Sequence, residues 1–173
     1  MSDGGLTSVT REKLVEVLAF CFMPNHIHLL LRQIKDRGIS LFMQKVGTGY
    51  ASYFNTKNNR KGHLFQGKFK AVHIKDDSQL MTIFSYIHTN PLSLLDSGWK
   101  ENGVSNLNKA MSFLEEYRWS SYIDCISRKN FPSVIDKDYL PNIFEDENDM
   151  KREVQDWIKY KSKNNFGEDI CFE

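Results

Sequence analysis

The fold is decided by the stretch Phe22-Met23-Pro24-Asn25-His26-Ile27-His28-Leu29-Leu30-Leu31. It places a Pro-Asn turn between two apolar runs, and proline and asparagine both favour turns. We therefore predict a β-hairpin whose first strand covers residues 14–22 and whose second strand covers residues 26–33.

Two histidines, His26 and His28, flank the single aliphatic residue Ile27 in this second strand. Because side chains alternate between the faces of a strand, both imidazoles are expected on one face and Ile27 toward the core. Imidazole is the commonest metal ligand, so the pair could form half of a divalent-metal site. For such a pair alone, an ordinary half-polar strand face is the simpler interpretation.

In the rest of the chain, the spacing of apolar residues predicts mainly helices. Apolar spacing predicts one helix that starts at an N-cap on Ser40 and continues to about Phe54. A second helix covers residues 79–90, with caps at Asp76-Asp77-Ser78 and a stop at Pro91. Two more are predicted at 107–127 and 148–161, and partial alternation predicts a strand over 63–74.

Length and composition limit the class of protein. A chain of 173 residues is one domain, or one domain with an appendage. Its three cysteines are scattered, it lacks a secretory signal, and its apolar stretches are too short to span a membrane. We therefore expect a cytoplasmic protein that does not insert into a membrane.

Charge is unevenly distributed along the chain. The interval from Lys45 to Lys75 carries seven lysines and arginines and no acidic residue, whereas eleven acids oppose six bases from Val134 to the end. A basic middle and an acidic tail predict a polyanion site in the first half.

The helix over 79–90 adds two polar groups to the histidine pair. Leu80, Ile83, Phe84 and Ile87 form its apolar stripe, while Tyr86 and Asn90 lie off that stripe one turn apart. Taken alone, this pair is typical of a boundary aromatic and a C-terminal cap. Together with two imidazoles and cationic surroundings, it suits phosphodiester chemistry, since a tyrosine near a cation can act as a nucleophile.

The chain resembles the single-tyrosine HUH transposases, in particular their REP-associated branch. The resemblance covers about residues 14–160 and rests on four stretches in family order: Phe22 to Leu31, Gly62-His63-Leu64-Phe65-Gln66-Gly67-Lys68-Phe69-Lys70-Ala71, Tyr86-Ile87-His88-Thr89-Asn90-Pro91-Leu92, and Tyr117-Arg118-Trp119-Ser120-Ser121-Tyr122.

This resemblance implies roles for individual residues. His26 and His28 would ligate Mg²⁺ or Mn²⁺, Asn90 would complete the metal site, and Tyr86 would be the nucleophile. The implied fold is α+β, a ferredoxin-like antiparallel sheet with flanking helices, here with a C-terminal helical extension. The implied reaction cleaves single-stranded DNA beside hairpins and leaves a 5′-phosphotyrosine and a free 3′-hydroxyl.

The DNA-binding residues are expected in the basic middle of the chain. The resemblance places Gln66, Lys68 and Lys70 near bound DNA, and the loop that carries Lys57, Arg60 and Lys61 near its phosphates. The interleaved aromatics could stack on bases. At helical or strand spacing, however, most of them are expected to be core residues: Tyr50, Tyr53, Phe54, Phe65 and Phe69. Three other histidines, His63, His73 and His88, are expected at the surface or around the site, and the Trp119–Tyr122 stretch in packing and capping.

The chain departs from the family at its N-terminus, where a further strand and helix are usual. We expect residues 1–13 to be disordered or a start-site remnant, 14–106 to form the catalytic core, and 107–173 to form the C-terminal extension. One sheet edge would then be unpaired, and a second copy in a homodimer could cover it.

Three other functions stay open at this point. A domesticated or catalytically impaired relative would bind hairpin DNA without forming a covalent adduct. A metal-dependent phosphoesterase would be expected to carry a second His-x-His motif, and the sequence contains one such motif. A replication initiator or relaxase shares the same chemistry but is usually larger.

Overall fold

The computed structural model describes residues 12–163, so the expectation for residues 1–13 falls almost entirely outside the described residues. The fold belongs to the α+β class, as predicted, with an antiparallel two-stranded sheet and flanking helices. Its elements are β1 (Val15–Phe22), β2 (Ile27–Gln33), α1 (Gly38–Lys57), α2 (Asp77–Thr89), α3 (Leu92–Leu95), α4 (Trp99–Asn102), α5 (Leu107–Glu116), α6 (Tyr122–Cys125) and α7 (Glu147–Lys163).

The predicted hairpin is confirmed, and its register determines which face carries the histidines. Cys21 pairs with His28, and Ala19 pairs with Leu30, so these four side chains share one face of the sheet. Ala19, Cys21 and Leu30 belong to the hydrophobic core. The face that bears His28 is therefore the face that packs on the helices.

The expectation that Ile27 turns toward the core is wrong. Ile27 pairs with Phe22 at the end of the hairpin and lies on the sheet face opposite His28. It is 42% exposed, and Phe22 is exposed as well.

The predicted apolar stripe of α2 is confirmed, since Leu80, Ile83, Phe84 and Ile87 are all buried. The Asp76 side chain caps the helix by accepting a hydrogen bond of 2.8 Å from the Gln79 backbone N–H. These two features fix where α2 begins and which side of it faces the sheet.

α1 begins earlier than predicted. Its N-cap is Arg37, in a left-handed conformation, and not Ser40. Gly38 follows as the first helical residue, and a side chain there would collide with the backbone carbonyl of Leu14. The Leu14 backbone, just before β1, approaches the start of the helix so closely that only glycine fits there, and this determines the boundary.

The predicted strand over residues 63–74 is wrong. The segment has no regular secondary structure, and within it Leu64 and Ile74 are half-buried while the rest is exposed. Alternation alone cannot make a strand, because a strand needs a partner for its backbone groups. In the described part of the chain, no strand pairs with this segment, nor with the second edge of β2.

The predicted helix over 107–127 is interrupted. Residues 117–121 lie between α5 and α6 and pair with the outer edge of β1: Phe22 N–H donates to the Trp119 carbonyl (2.8 Å) and Ser121 N–H to the Phe20 carbonyl (3.0 Å). Hydrogen bonds to the sheet edge replace those of the helix. The expected packing role is confirmed for Ser120, Ser121 and Tyr122, which are buried, whereas Trp119 is 49% exposed. The expected capping role is wrong for α6, because its N-cap Ser121 makes no side-chain cap hydrogen bond.

Ser121 also joins this segment to α2. Its Oγ accepts a hydrogen bond from the Phe20 backbone N–H (2.8 Å) and lies 2.8 Å from Nε2 of His88. His88 is fully buried, so of its two expected places, at the surface or around the site, the surface is wrong, whereas His63 and His73 are exposed. Burial lowers the pKa of His88 to about 3, which keeps the ring neutral inside the core.

The C-terminal segment contributes to the same core as the hairpin. The predicted helix at 148–161 is confirmed as α7, and its Val154 and Ile158 lie in one cluster with Leu18 and Phe84. No helix of residues 12–163 is long and apolar enough to cross a membrane.

Replacing Ser121 with alanine should destabilise the fold. The change leaves the Phe20 N–H and the buried His88 without their hydroxyl partner, which costs about 1–3 kcal/mol. Urea unfolding followed by circular dichroism measures this loss. The matched control is Ser105→Ala in an exposed loop, which should change the free energy of unfolding by less than about 0.5 kcal/mol. Equal stability of the two variants would show that the Ser121 link contributes nothing.

Candidate active site

The two histidines of the hairpin lie next to each other. His28 is in β2, His26 directly precedes that strand, and their ring centroids are 4.8 Å apart with nearly perpendicular planes (87°). The predicted placement on one face is thus found. His26 is exposed and His28 half-buried, so the pair lies where the core meets solvent.

Tyr86 extends the histidine pair into a row of three rings. It is half-buried on the flank of α2, and its ring meets His28 edge to face with centroids 5.5 Å apart. The buried stripe of α2 packs on the sheet face that bears His28, which brings the tyrosine to this position. Tyr86 and His28 are 58 positions apart in the sequence, and tertiary packing joins them.

Asn25 orients the first imidazole, a role that the sequence analysis did not assign. Its Oδ1 accepts a hydrogen bond of 2.7 Å from Nδ1–H of His26. An amide oxygen cannot donate, so the proton of this bond is on Nδ1, and in the neutral ring Nε2 then carries the lone pair. Hydrogen bonds of this kind fix the tautomer of histidines that bind metals. The Asn-His dipeptide is the signal that could have revealed it.

Asn90, which is expected to be a metal ligand, has a structural role at the end of α2. It caps the C-terminus of α2, is 3% exposed, and donates from Nδ2 to the Tyr86 carbonyl (2.9 Å). Its Oδ1 is the remaining atom that could act as a ligand. The cap ties Asn90 to the turn that carries Tyr86.

Lys100 is the charged residue that the sequence analysis missed. Its Nζ lies 5.5 Å from the centroid of the Tyr86 ring. It was missed because it lies 25 residues after the basic interval that ends at Lys75, and only the path of the chain through α3 and α4 returns it to α2.

Two imidazoles and one amide oxygen are the side-chain groups of this region that could hold a divalent ion. The described residues contain no group of three or more His, Cys, Asp or Glu that could hold a metal. His26 and His28 could supply two imidazole nitrogens, with Asn90 Oδ1, water and substrate oxygens as further ligands. Imidazole suits Mn²⁺ and later transition metals better than Mg²⁺, which favours oxygen ligands.

A separate aromatic–basic surface is formed by α1 and the segment 63–72. Tyr50 and Tyr53 are 48% and 59% exposed, and Phe65 and Phe69 are also exposed, so the expectation that most of these rings are core is wrong. Gly38 is the only fully buried residue of α1. The helix therefore presents its aromatics to solvent because no described element covers that side.

Contacts within this surface hold the rings and charges together. Tyr50 packs against Phe54 (6.1 Å between centroids) and Phe65 (6.3 Å), and Lys57 lies over the Tyr53 ring (5.6 Å). Arg60 donates to the His63 carbonyl (3.0 Å), which fixes the loop between helix and segment. The other predicted DNA contacts are exposed here as well: Lys61, Gln66, Lys68 and Lys70.

Comparison with known proteins bears on both regions. Residues 5–90 match the family model described as IS200-like transposase. This chain belongs to the IS200-like transposase family. The match includes His26, His28, Tyr86 and Asn90, and it ends before Lys100. Searches of curated proteins and of solved structures found no significant match.

Membership in the transposase family gives the general function. A transposase binds DNA and cleaves it, so the IS200-like chain is a DNA-binding protein with a transposase-type endonuclease function. The basic interval from Lys45 to Lys75 is the part of the described surface where a polyanion is expected to bind.

Proposed function

We propose that the protein is a metal-dependent tyrosine transposase of the REP-associated branch, and that it cleaves and rejoins single-stranded DNA beside a hairpin. The observation that carries this proposal is the row of rings from His26 through His28 to Tyr86. A nucleophilic side chain next to two metal-ligand side chains is the arrangement that phosphodiester attack requires.

In the proposed reaction, the phenolic oxygen of Tyr86 loses its proton and attacks the phosphorus. A bond forms between that oxygen and phosphorus, the bond from phosphorus to the 3′ oxygen breaks, and the departing 3′ oxygen takes up a proton. The products are a 5′-phosphotyrosine and a free 3′-hydroxyl. Since the ester preserves the bond energy, a 3′-hydroxyl can reverse the attack at a new position without any further reactant.

His26 and His28 would hold Mg²⁺ or Mn²⁺, with Asn90 as a further ligand. When bound, such an ion draws negative charge from a phosphate oxygen. Asn25 keeps Nε2 of His26 free to act as a ligand. The Asn90 cap and the buried stripe of α2 hold Tyr86 beside His28, which reduces the entropy cost of reaching the reactive geometry.

The aromatic–basic surface would bind the single strand. Exposed rings next to lysines suit unpaired bases, because every base has a face that can stack while its phosphate meets a cation. Duplex DNA hides those faces. The exposure of Tyr50, Tyr53, Phe65 and Phe69 therefore supports a single-stranded substrate over a duplex.

Tyr86→Phe tests the proposed reaction. With Mn²⁺ and a hairpin oligonucleotide that carries a single-stranded flank, the wild type should form a protein–DNA species that survives SDS. Removing the hydroxyl should eliminate this adduct and leave DNA affinity unchanged, because the ring contact with His28 is kept. Gel electrophoresis with peptide mapping measures both.

Tyr160→Phe is the matched control, since this exposed tyrosine lies on α7, and it should form the adduct normally. An adduct mapped to Tyr50, Tyr53 or Tyr122 would contradict the assignment of Tyr86. DNA binding with no adduct in the wild type would favour the domesticated DNA-binding alternative.

The aromatic–basic surface can be tested by separating stacking from charge. Tyr53→Ala and Phe65→Ala should each weaken single-strand binding by about 1–3 kcal/mol per lost stacked base, without changing the salt dependence. Lys68→Ala and Lys70→Ala should instead flatten the plot of log K against log salt by roughly 0.7 each. Fluorescence anisotropy over a salt series measures both quantities. If Tyr53→Ala and Phe65→Ala bind like Tyr160→Ala, the strand does not bind at this surface.

A further inference from the structure

We propose that Lys100 binds the scissile phosphate and holds it against Tyr86, which would make it a catalytic residue of the proposed reaction. Its ammonium lies over the Tyr86 ring, 5.5 Å from the centroid. Tyr86 is the residue that would attack the phosphorus. This inference rests on the proposed function of Tyr86 and adds a residue that lies outside the segment matched by the family model.

The backbone beneath Lys100 is firmly held. Its neighbour Trp99 is buried in the core, and the Gly98 N–H donates to the Asp96 side chain (2.9 Å). At the other end of α4, Gly103 has a φ of 72° and lies so close to Ser162 of α7 that a side chain would collide. The start of the Lys100 side chain is therefore fixed relative to α2, and its four-carbon stem provides the reach.

The charge of Lys100 is available for a ligand. No carboxylate within residues 12–163 forms an ion pair with it, although eight ion pairs occur elsewhere in this part of the chain. The side chain is half-buried, and charge interactions strengthen as water is excluded. Contact with a ring face leaves its N–H groups able to donate to another partner.

A phosphate is the ligand that this arrangement fits. The phosphate must approach the hydroxyl of Tyr86 for the attack, and it brings non-bridging anionic oxygens beside the ammonium. Negative charge on those oxygens is redistributed as the new bond forms, and a preorganised cation stabilises it. The same contact persists in the phosphotyrosine ester, so Lys100 would also hold the 5′ phosphate until a 3′-hydroxyl attacks it.

The test compares Lys100→Met with Lys100→Arg in the full chain. Lys100→Met keeps the length of the stem and removes the charge, so single-turnover adduct formation should slow by about 100-fold. DNA affinity should stay near that of the wild type, because most binding contacts lie on the aromatic–basic surface. Lys100→Arg restores a cation and should recover most of the rate. Lys109→Met, which removes an exposed lysine from α5, is the matched control and should react normally.

A second substrate separates phosphate binding from a structural role. A methylphosphonate at the scissile position replaces an anionic oxygen with a methyl group, so the rate ratio between wild type and Lys100→Met should fall toward one. An unchanged ratio would overturn phosphate binding, as would Lys100→Met at the wild-type rate on ordinary DNA. If the wild type itself forms no adduct, the proposed function fails and this inference fails with it.

Discussion

The packing of α2 on the inner face of the hairpin is the interaction on which the rest of the structure depends. Four apolar side chains of α2 are buried, and complete burial of each contributes about 1.5–3 kcal/mol. Edge-to-face aromatic contacts, such as that between Tyr86 and His28, contribute about 0.5–1.5 kcal/mol. The apolar stripe therefore positions the ring, and the ring contact does not position the helix. This order explains how a half-buried, polar site can be precise, since its geometry is set by core residues that take no part in the chemistry.

Hydrogen bonds within the protein then fix the direction of α2. Ser121 joins β1 to His88, and Asn90 ties the end of the helix to the Tyr86 carbonyl. Both links lie within one turn of Tyr86, one on the core side and one at the cap. The segment from Tyr117 to Ser121 also occupies the outer edge of β1, which protects a short two-stranded sheet from pairing with other chains on that side. The segment from Tyr117 to Ser121 thus supports the site, although it carries neither the proposed nucleophile nor a proposed metal ligand.

Local sequence patterns were sufficient for the hairpin, for the core stripe and N-cap of α2, and for α7, because each depends on contacts between near neighbours in the chain. They failed where contacts with backbone far away in the sequence determine the local secondary structure. Residues 63–74 alternate like a strand, but no described strand pairs with them. Ser120 and Ser121 lie in a predicted helix, yet their segment is hydrogen-bonded to β1 instead. The Leu14 backbone lies so close to Gly38 that α1 begins at this glycine and not at Ser40. The aromatics of α1 have core-like spacing, yet no described element covers them. Lys100 carries no local signal at all, since its position beside Tyr86 results from the turn through α3 and α4.

The central claim is that the histidine pair and Tyr86 form one site, and ¹⁹F NMR of protein labelled with 3-fluorotyrosine tests it directly. Seven tyrosines give seven signals, which Tyr→Phe variants assign. Mn²⁺ added below stoichiometry should broaden the Tyr86 signal most strongly and leave that of Tyr160 sharp, and His28→Ala should abolish the effect. If Mn²⁺ binds through His26 and His28 while the Tyr86 signal stays as sharp as that of Tyr160, the tyrosine lies away from the histidines in solution and the account is wrong.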